Sequence, residues 1–264
     1  MKGIFSIVSV LAINGMVFAQ AVETAPAASD PAVQSPAAPA PAAGEGAFAF
    51  KNFMVSEDVN FFNLDSGDIV EFSTTFSWSL ADNVDFKVTA PVYTDGDTGL
   101  GMVNIGANLL AIKNPTSWIN GVAFGVGIEL PAANDDFGGD SLNTKLSAST
   151  DGKTGIDKLS WYAGVDGTFV SDATYLPVFG GLVSEDVFHT SAGLTYAYCE
   201  GFDIALKYNF WDVNNGGNIS TLGPSLSYAV CPSALVDFGV DVPVADDDAS
   251  DLDLVVRFGL NVKF

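Results

Sequence analysis

LDLVVRFGLNVKF, residues 252–264, is the stretch that decides the fold. Leu252, Leu254, Val256, Phe258, Leu260, Val262 and Phe264 share one parity; Asp253, Val255, Arg257, Gly259, Asn261 and Lys263 share the other. Successive side chains of a β-strand point to opposite faces, so this segment has one wholly apolar face and one largely polar face. The apolar parity runs through the final aromatic, which a frayed terminus in water would gain little from holding. A strand that closes a barrel, with its outer face against lipid, accounts for it.

The same alternation recurs back along the chain in runs of about ten residues, the length a tilted strand needs to cross an apolar layer. Residues 69–80 are the cleanest: Val70, Phe72, Thr74, Phe76, Trp78 and Leu80 alternate with Glu71, Ser73, Thr75, Ser77 and Ser79. Asp82-Asn83 makes a tight turn, and 84–93 returns with Val84, Phe86, Val88, Ala90 and Val92 outward. Further strands are expected at 102–112, 120–130, 159–170, 175–183, 188–198, 202–210, 221–230, 235–244 and 252–264. If Phe264 lies at the periplasm, parity requires one more outward-running strand before residue 69, and 48–62 is the candidate. The expectation is therefore an all-β, transmembrane, antiparallel up-and-down β-barrel of about 12 strands, with ten as the alternative. Short turns near Asp82, Pro115, Asp172, Glu200 and Pro232 would face the periplasm. Longer connections, including 132–157 and 245–251, would face outward.

This ending resembles the C-terminal signature of bacterial outer-membrane β-barrels. The resemblance implies that Phe258, Leu260, Val262 and Phe264 form the signal read by the barrel-assembly machinery.

The front of the chain fits export. Lys2, an apolar run to Phe18 and Val17-Phe18-Ala19 read as a signal peptide spanning 1–19. Residues 20–46, with Pro26, Pro31, Pro36, Pro39 and Pro41, cannot build a core and read as a disordered periplasmic tether. The barrel would occupy 47–264. The net charge of −22 argues against nucleic acid as a partner, since phosphates demand a basic surface. Apart from the signal there is no apolar run long enough for a transmembrane helix. Aromatics gather near strand ends (Trp78, Tyr93, Trp118, Trp161, Tyr175, Tyr196, Tyr198, Tyr208, Trp211, Tyr228), as two interfacial girdles would require.

Inward parity places Glu71, Asp85, Glu129, Asp166, Asp203, Asp237, Asp241 and Asp253 in the lumen with Lys87, Lys207, Arg257 and Lys263. Pairing across the last hairpin sets Arg257 beside Gly239, diagonal to Asp237 and Asp241. Such a cluster either holds the interior together or forms part of a constriction. Inward Ser73, Thr75, Gly125, Gly127, Gly193 and Ala205 favour open space. Cys199 and Cys231 sit at like ends of a local duplication, and an oxidising periplasm makes a disulfide between them an open possibility. One intervening strand sets them about 9–10 Å apart, which opposes it.

Asp95-Gly96-Asp97, Asp135-Asp136 and Asp246-Asp247-Asp248 do not complete a calcium loop and read as solvated acids, with loose bridging to lipopolysaccharide as the alternative. His189, the only histidine, has no triad spacing around it, so no enzyme and no cofactor is expected. The expected partners are outer-membrane lipid and lipopolysaccharide, the assembly machinery and a small solute.

Residues 79–132 carry a second resemblance. Ala90-Pro91, Gly99-Leu100-Gly101 and Ile128-Glu129-Leu130-Pro131, in that order, look like outer-membrane proteins of the meta-pathway phenol-degradation or putative transporter type. Those usually show Asp directly after the Gly-Leu-Gly triplet, where this chain has Met102. The resemblance implies passage of small aromatic or hydrophobic compounds. The reading is a channel or transporter for a small solute, weakly cation-selective if open because its lining is acidic. A non-conducting structural or surface-interaction barrel is the alternative.

Overall fold

The computed structural model describes residues 51–113, 118–132, 135–246 and 252–264; the expected signal peptide and tether lie outside them. Alternating polarity turns these residues into twelve long strands among those described. The first four are β1 (Lys51–Leu64), β2 (Ile69–Ala81), β3 (Val84–Asp95) and β4 (Val103–Lys113). Next come β5 (Gly121–Leu130), β6 (Asn143–Lys153), β7 (Leu159–Phe169) and β8 (Val187–Cys199). The last are β9 (Phe202–Val213), β10 (Gly217–Cys231), β11 (Ala234–Asp246) and β12 (Leu252–Lys263). Each pairs antiparallel with its sequence neighbours, and β12 pairs with β1 from Met54↔Lys263 to Asn63↔Leu254, which closes the barrel. The Phe264 amide adds a bond to the Phe53 carbonyl at 2.8 Å.

The barrel is polar inside and apolar outside. Outward Phe124 is 53% exposed, while inward Asn143 and Thr221 are 0% exposed. A soluble sandwich would show the reverse, because burial in water is driven by removing apolar surface. Aromatic pairs mark the short-turn end: Phe53 with Phe264 at 5.8 Å, Trp78 with Phe86 at 5.7 Å and Trp118 with Trp161 at 5.8 Å. Phe169 and Phe188, 6.4 Å apart, lie on the outer face near the other end, the mouth.

The strand number is the expected one, but two assignments exchange places. Residues 175–183 do not span. Thr174–Leu176 pairs with Gly181–Val183 in a small separate hairpin around a 3₁₀ turn, Pro177–Phe179. Gly180 closes the turn at φ 71°, a left-handed conformation that glycine adopts without a side-chain clash. Pro177 lacks a ladder donor, and apolar residues on both parities leave no polar face for a lumen. Residues 143–153, expected inside a loop, are instead the spanning strand β6. Its outward face is Thr144, Leu146, Ala148, Thr150 and Gly152, too weakly apolar to show as alternation.

This exchange reverses the expected direction of β7. It moves the connection around Asp172 to the mouth and the turn at 154–158 to the short-turn end. Within the apparently irregular 48–62, residues 51 onward form β1, which pairs in regular register on both sides from Met54 to Phe62.

Candidate functional site

Two segments that the barrel strands do not supply pack against the inner wall at the mouth. A 3₁₀ turn, Asp135–Phe137, and the hairpin at 174–183 bring Phe137, Tyr175 and Val178 into a buried cluster with Phe62, Leu64, Ile69, Tyr93, Ile219, Leu252 and Val255. Tyr175 lies 4.6 Å from Tyr93 between ring centres, and Phe137 lies 5.2 Å from Tyr175 and 5.8 Å from Tyr93. Such ring pairs add to their area burial.

The Gly-Leu-Gly triplet explains how Tyr93 gets there. Asp97–Leu100 folds back along β3, with Gly99 opposite Tyr93, and a Cβ on Gly101 would collide with the Tyr93 ring. Met102, where the resemblance expects Asp, is buried in this roof.

A buried polar latch ties plug to wall. Asn143 Nδ2 faces Glu129 Oε2 at 3.2 Å, the Ala173 carbonyl at 3.2 Å and Met102 Sδ at 3.4 Å. Asn143 Oδ1 accepts from the Ser171 amide at 2.9 Å, and Thr174 Oγ1 donates to Glu129 Oε2 at 3.2 Å. Lys145 Nζ meets Glu129 Oε1 at 2.6 Å. Tyr175 donates its hydroxyl to Asp95 Oδ2 at 3.3 Å; burial, then the Asp95 carboxylate, holds this phenol protonated far above the usual tyrosine range.

Below the plug is a cavity of about 240 Å³, lined by Glu71, Lys87, Thr89, Tyr93, Glu129 and Lys145 among others. A second of about 210 Å³ brings Lys87 and Lys145 together with Asp166. A third of about 380 Å³ holds Asp58, Lys207, Asp237 and Arg257.

Most of these charges are engaged. Glu71 accepts from Ser73 Oγ at 2.6 Å and Asn60 Nδ2 at 3.2 Å. Gly239 stands opposite Arg257, whose Nη2 binds both oxygens of buried Asp241, at 2.7 and 2.9 Å. Asp237 takes no part in that pair; it accepts from Ser227 Oγ and from Asn261 Nδ2 at 2.8 Å. His189 Nδ1 lies 2.8 Å from Asp166 Oδ2, and its ring stacks on Trp211 at 4.8 Å.

Of the expected lumen residues, Glu71, Lys87 and Glu129 share the cavity under the plug, Asp166 adjoins it, and Lys207, Asp237, Asp241 and Arg257 form a separate cluster. Asp85 stands apart toward the short-turn end, taking a hydrogen bond from Ser79 at 2.6 Å, and Asp203 faces Ser227 near the same rim. Phe258 and Phe264 lie exposed on the outer face, with Leu260 and Val262 half-buried between them.

Cys199 and Cys231 are free and exposed; β9 separates their strands, beyond the reach of a disulfide. Tyr93, Tyr175 and Trp211 point into the interior rather than into a girdle. Inward Gly193 does not leave open space, since the Tyr162 ring occupies the room its missing side chain leaves. Asn143, Lys145, Phe137 and Asp58 were not foreseen; only alternation of Lys145, Ser147, Ser149 and Asp151 could have signalled β6. Among the described residues no three His, Cys, Asp or Glu side chains gather as a metal site, and Asp247-Asp248 lie outside them.

Fold and interior together define a closed antiparallel barrel of the outer-membrane kind, polar within and apolar without. Within that class the chain belongs to the family described as putative MetA-pathway of phenol degradation, whose sequence pattern matches residues 40–252. Similar solved structures include the COG4313 outer-membrane channel from Pseudomonas putida F1, at TM-score 0.60 and 9% identity over 85% of this chain and all (100%) of that one. The NanC porin aligns at TM-score 0.59 and 12% identity over 80% and 100% of the two chains. The KdgM porin aligns at 0.52 and 14% identity over 80% and 99%. No curated protein matches the chain in sequence.

Proposed function

We propose that this barrel is an outer-membrane channel for a small aromatic or hydrophobic solute, weakly cation-selective, with the plug set across its external mouth. The observation that carries this reading is the run of polar, charged cavities inside an apolar-walled barrel, beginning directly under an aromatic roof. A barrel that served only as a surface would gain nothing from turning Lys87 and Lys207 into its lumen with no ion pair or hydrogen bond to either among the described residues. The excess of inward acids favours cations over anions on average. Lipid and lipopolysaccharide surround the apolar wall, and the parity ending in Phe264 serves insertion by the assembly machinery.

Flux into vesicles tests the reading. Reconstituted protein is expected to speed entry of small monoaromatic solutes over protein-free vesicles, with disaccharides excluded. Equal leakage with and without protein would overturn it. The non-conducting alternative draws on one observation, the interior filled by Tyr162 and by the plug; it requires that silence.

A further inference from the structure

Resting on the channel reading, we propose that the cavity under the plug is a binding site for a monoaromatic solute carrying one anionic group, its ring under Tyr93, Phe137 and Tyr175 and its anion on Lys87. The size fits. A cavity of about 150 Å³ holds benzene, and this one, at about 240 Å³, has room for a ring and a carboxylate.

The polarity follows from which charges are already satisfied. Both oxygens of Glu71 accept hydrogen bonds, from Ser73 and Asn60. Both oxygens of Glu129 are taken, one by Lys145 and the other by Asn143 and Thr174. Lys87 is the charged group of this lining that has neither an ion pair nor a hydrogen bond among the described residues; the charges acting on it are those of Lys145 and Asp166. Its Cε rests beside Gly106, directly across the β3–β4 ladder. An ammonium in a partly desolvated cavity gains most from an anion that completes its hydrogen bonds. The roof supplies the other half of the recognition, three aromatic rings within 6 Å of one another.

The site and the channel's average charge act at different ranges. The net acidic lumen governs small mobile ions, whereas a bound solute meets the local arrangement, in which Glu129 is paired with Lys145, Glu71 has its hydrogen bonds filled by Ser73 and Asn60, and the Lys87 ammonium has neither kind of partner among the described residues. A solute carboxylate reaching Lys87 also stands near Lys145 and competes with Glu129 for it.

The test is ¹⁹F NMR titration of the full chain in detergent with 4-fluorobenzoate, 4-fluorobenzyl alcohol and 4-fluorobenzylamine, with folding checked by heat-shifted gel mobility. Benzoate is expected to bind at least about tenfold tighter than the amine. Lys87→Gln should weaken benzoate about tenfold while leaving the alcohol within about twofold, and Phe137→Ala should weaken both. Preference for the amine, no saturable binding, or benzoate affinity unchanged in folded Lys87→Gln would overturn the site. A barrel silent in flux that still binds benzoate through Lys87 would overturn the channel and keep the site; a conducting barrel that binds none of the probes would do the opposite.

Discussion

Asn143 Nδ2 donates to Glu129 Oε2 at 3.2 Å while its Oδ1 accepts from the Ser171 amide at 2.9 Å, so one fully buried side chain joins the barrel wall to the plug. Burying a carboxamide is favourable only when its hydrogen bonds are made, and here they are made across the two parts that would have to separate for the mouth to open.

Asn143→Leu therefore strips the latch, leaving Glu129 and the Ser171 amide short of partners. The cost is expected to be about 2 kcal/mol and to fall on the plug rather than the barrel. Proteolysis within residues 170–186 should accelerate while the heat-shifted mobility of the barrel persists. Unchanged cleavage would show that the aromatic cluster alone holds the plug.

Gly101→Val drives a side chain into the Tyr93 ring. Overpacking of this kind costs about 1–3 kcal/mol. Because the Tyr93 ring packs against Tyr175 and Phe137, the same accelerated cleavage of the plug hairpin is expected. A valine tolerated with no effect would mean that Tyr93 is not what seats the plug.

Arg257, half-buried, forms an ion pair across the last hairpin with the buried carboxylate of Asp241. Removing one partner strands the other, so Arg257→Gln should cost about 3 kcal/mol in urea-driven unfolding from lipid vesicles. The double variant Arg257→Met/Asp241→Leu should recover most of that, within about 1 kcal/mol of the parent. Additive losses would show that the two residues act separately.

Cys199 and Cys231 are both free and exposed. Folded protein prepared without reductant should react with a polar maleimide at two thiols per chain. Reaction only after reduction would place a disulfide where a whole strand lies between them.

The barrel was legible because its outer wall must be apolar and its inner wall need not be, which writes a period of two into strands such as Ile69–Ala81 and Leu252–Lys263. Arg257 beside Gly239 was legible for the same reason, since the period of two on both strands of the last hairpin fixes which residues can stand opposite. Asn143–Lys153 was not, because its outward Thr144, Thr150 and Gly152 dilute the pattern. The hairpin at 174–183 was misread as a strand because a plug buried in aromatic company is as apolar as a wall. What could not be read at all was the latch: Glu129 meets Asn143, Thr174 and Lys145 only once the mouth has folded. The pairing of His189 with Asp166 likewise depends on which strands become neighbours.

Current through a planar bilayer under a salt gradient tests the central claim most directly. The native barrel is expected to give small, steady steps with a cation-favouring reversal potential, and Asn143→Leu larger ones of the same sign. Silence from both proteins when folded, or a reversal potential favouring anions, would overturn the reading of this lumen as an acidic, plugged channel.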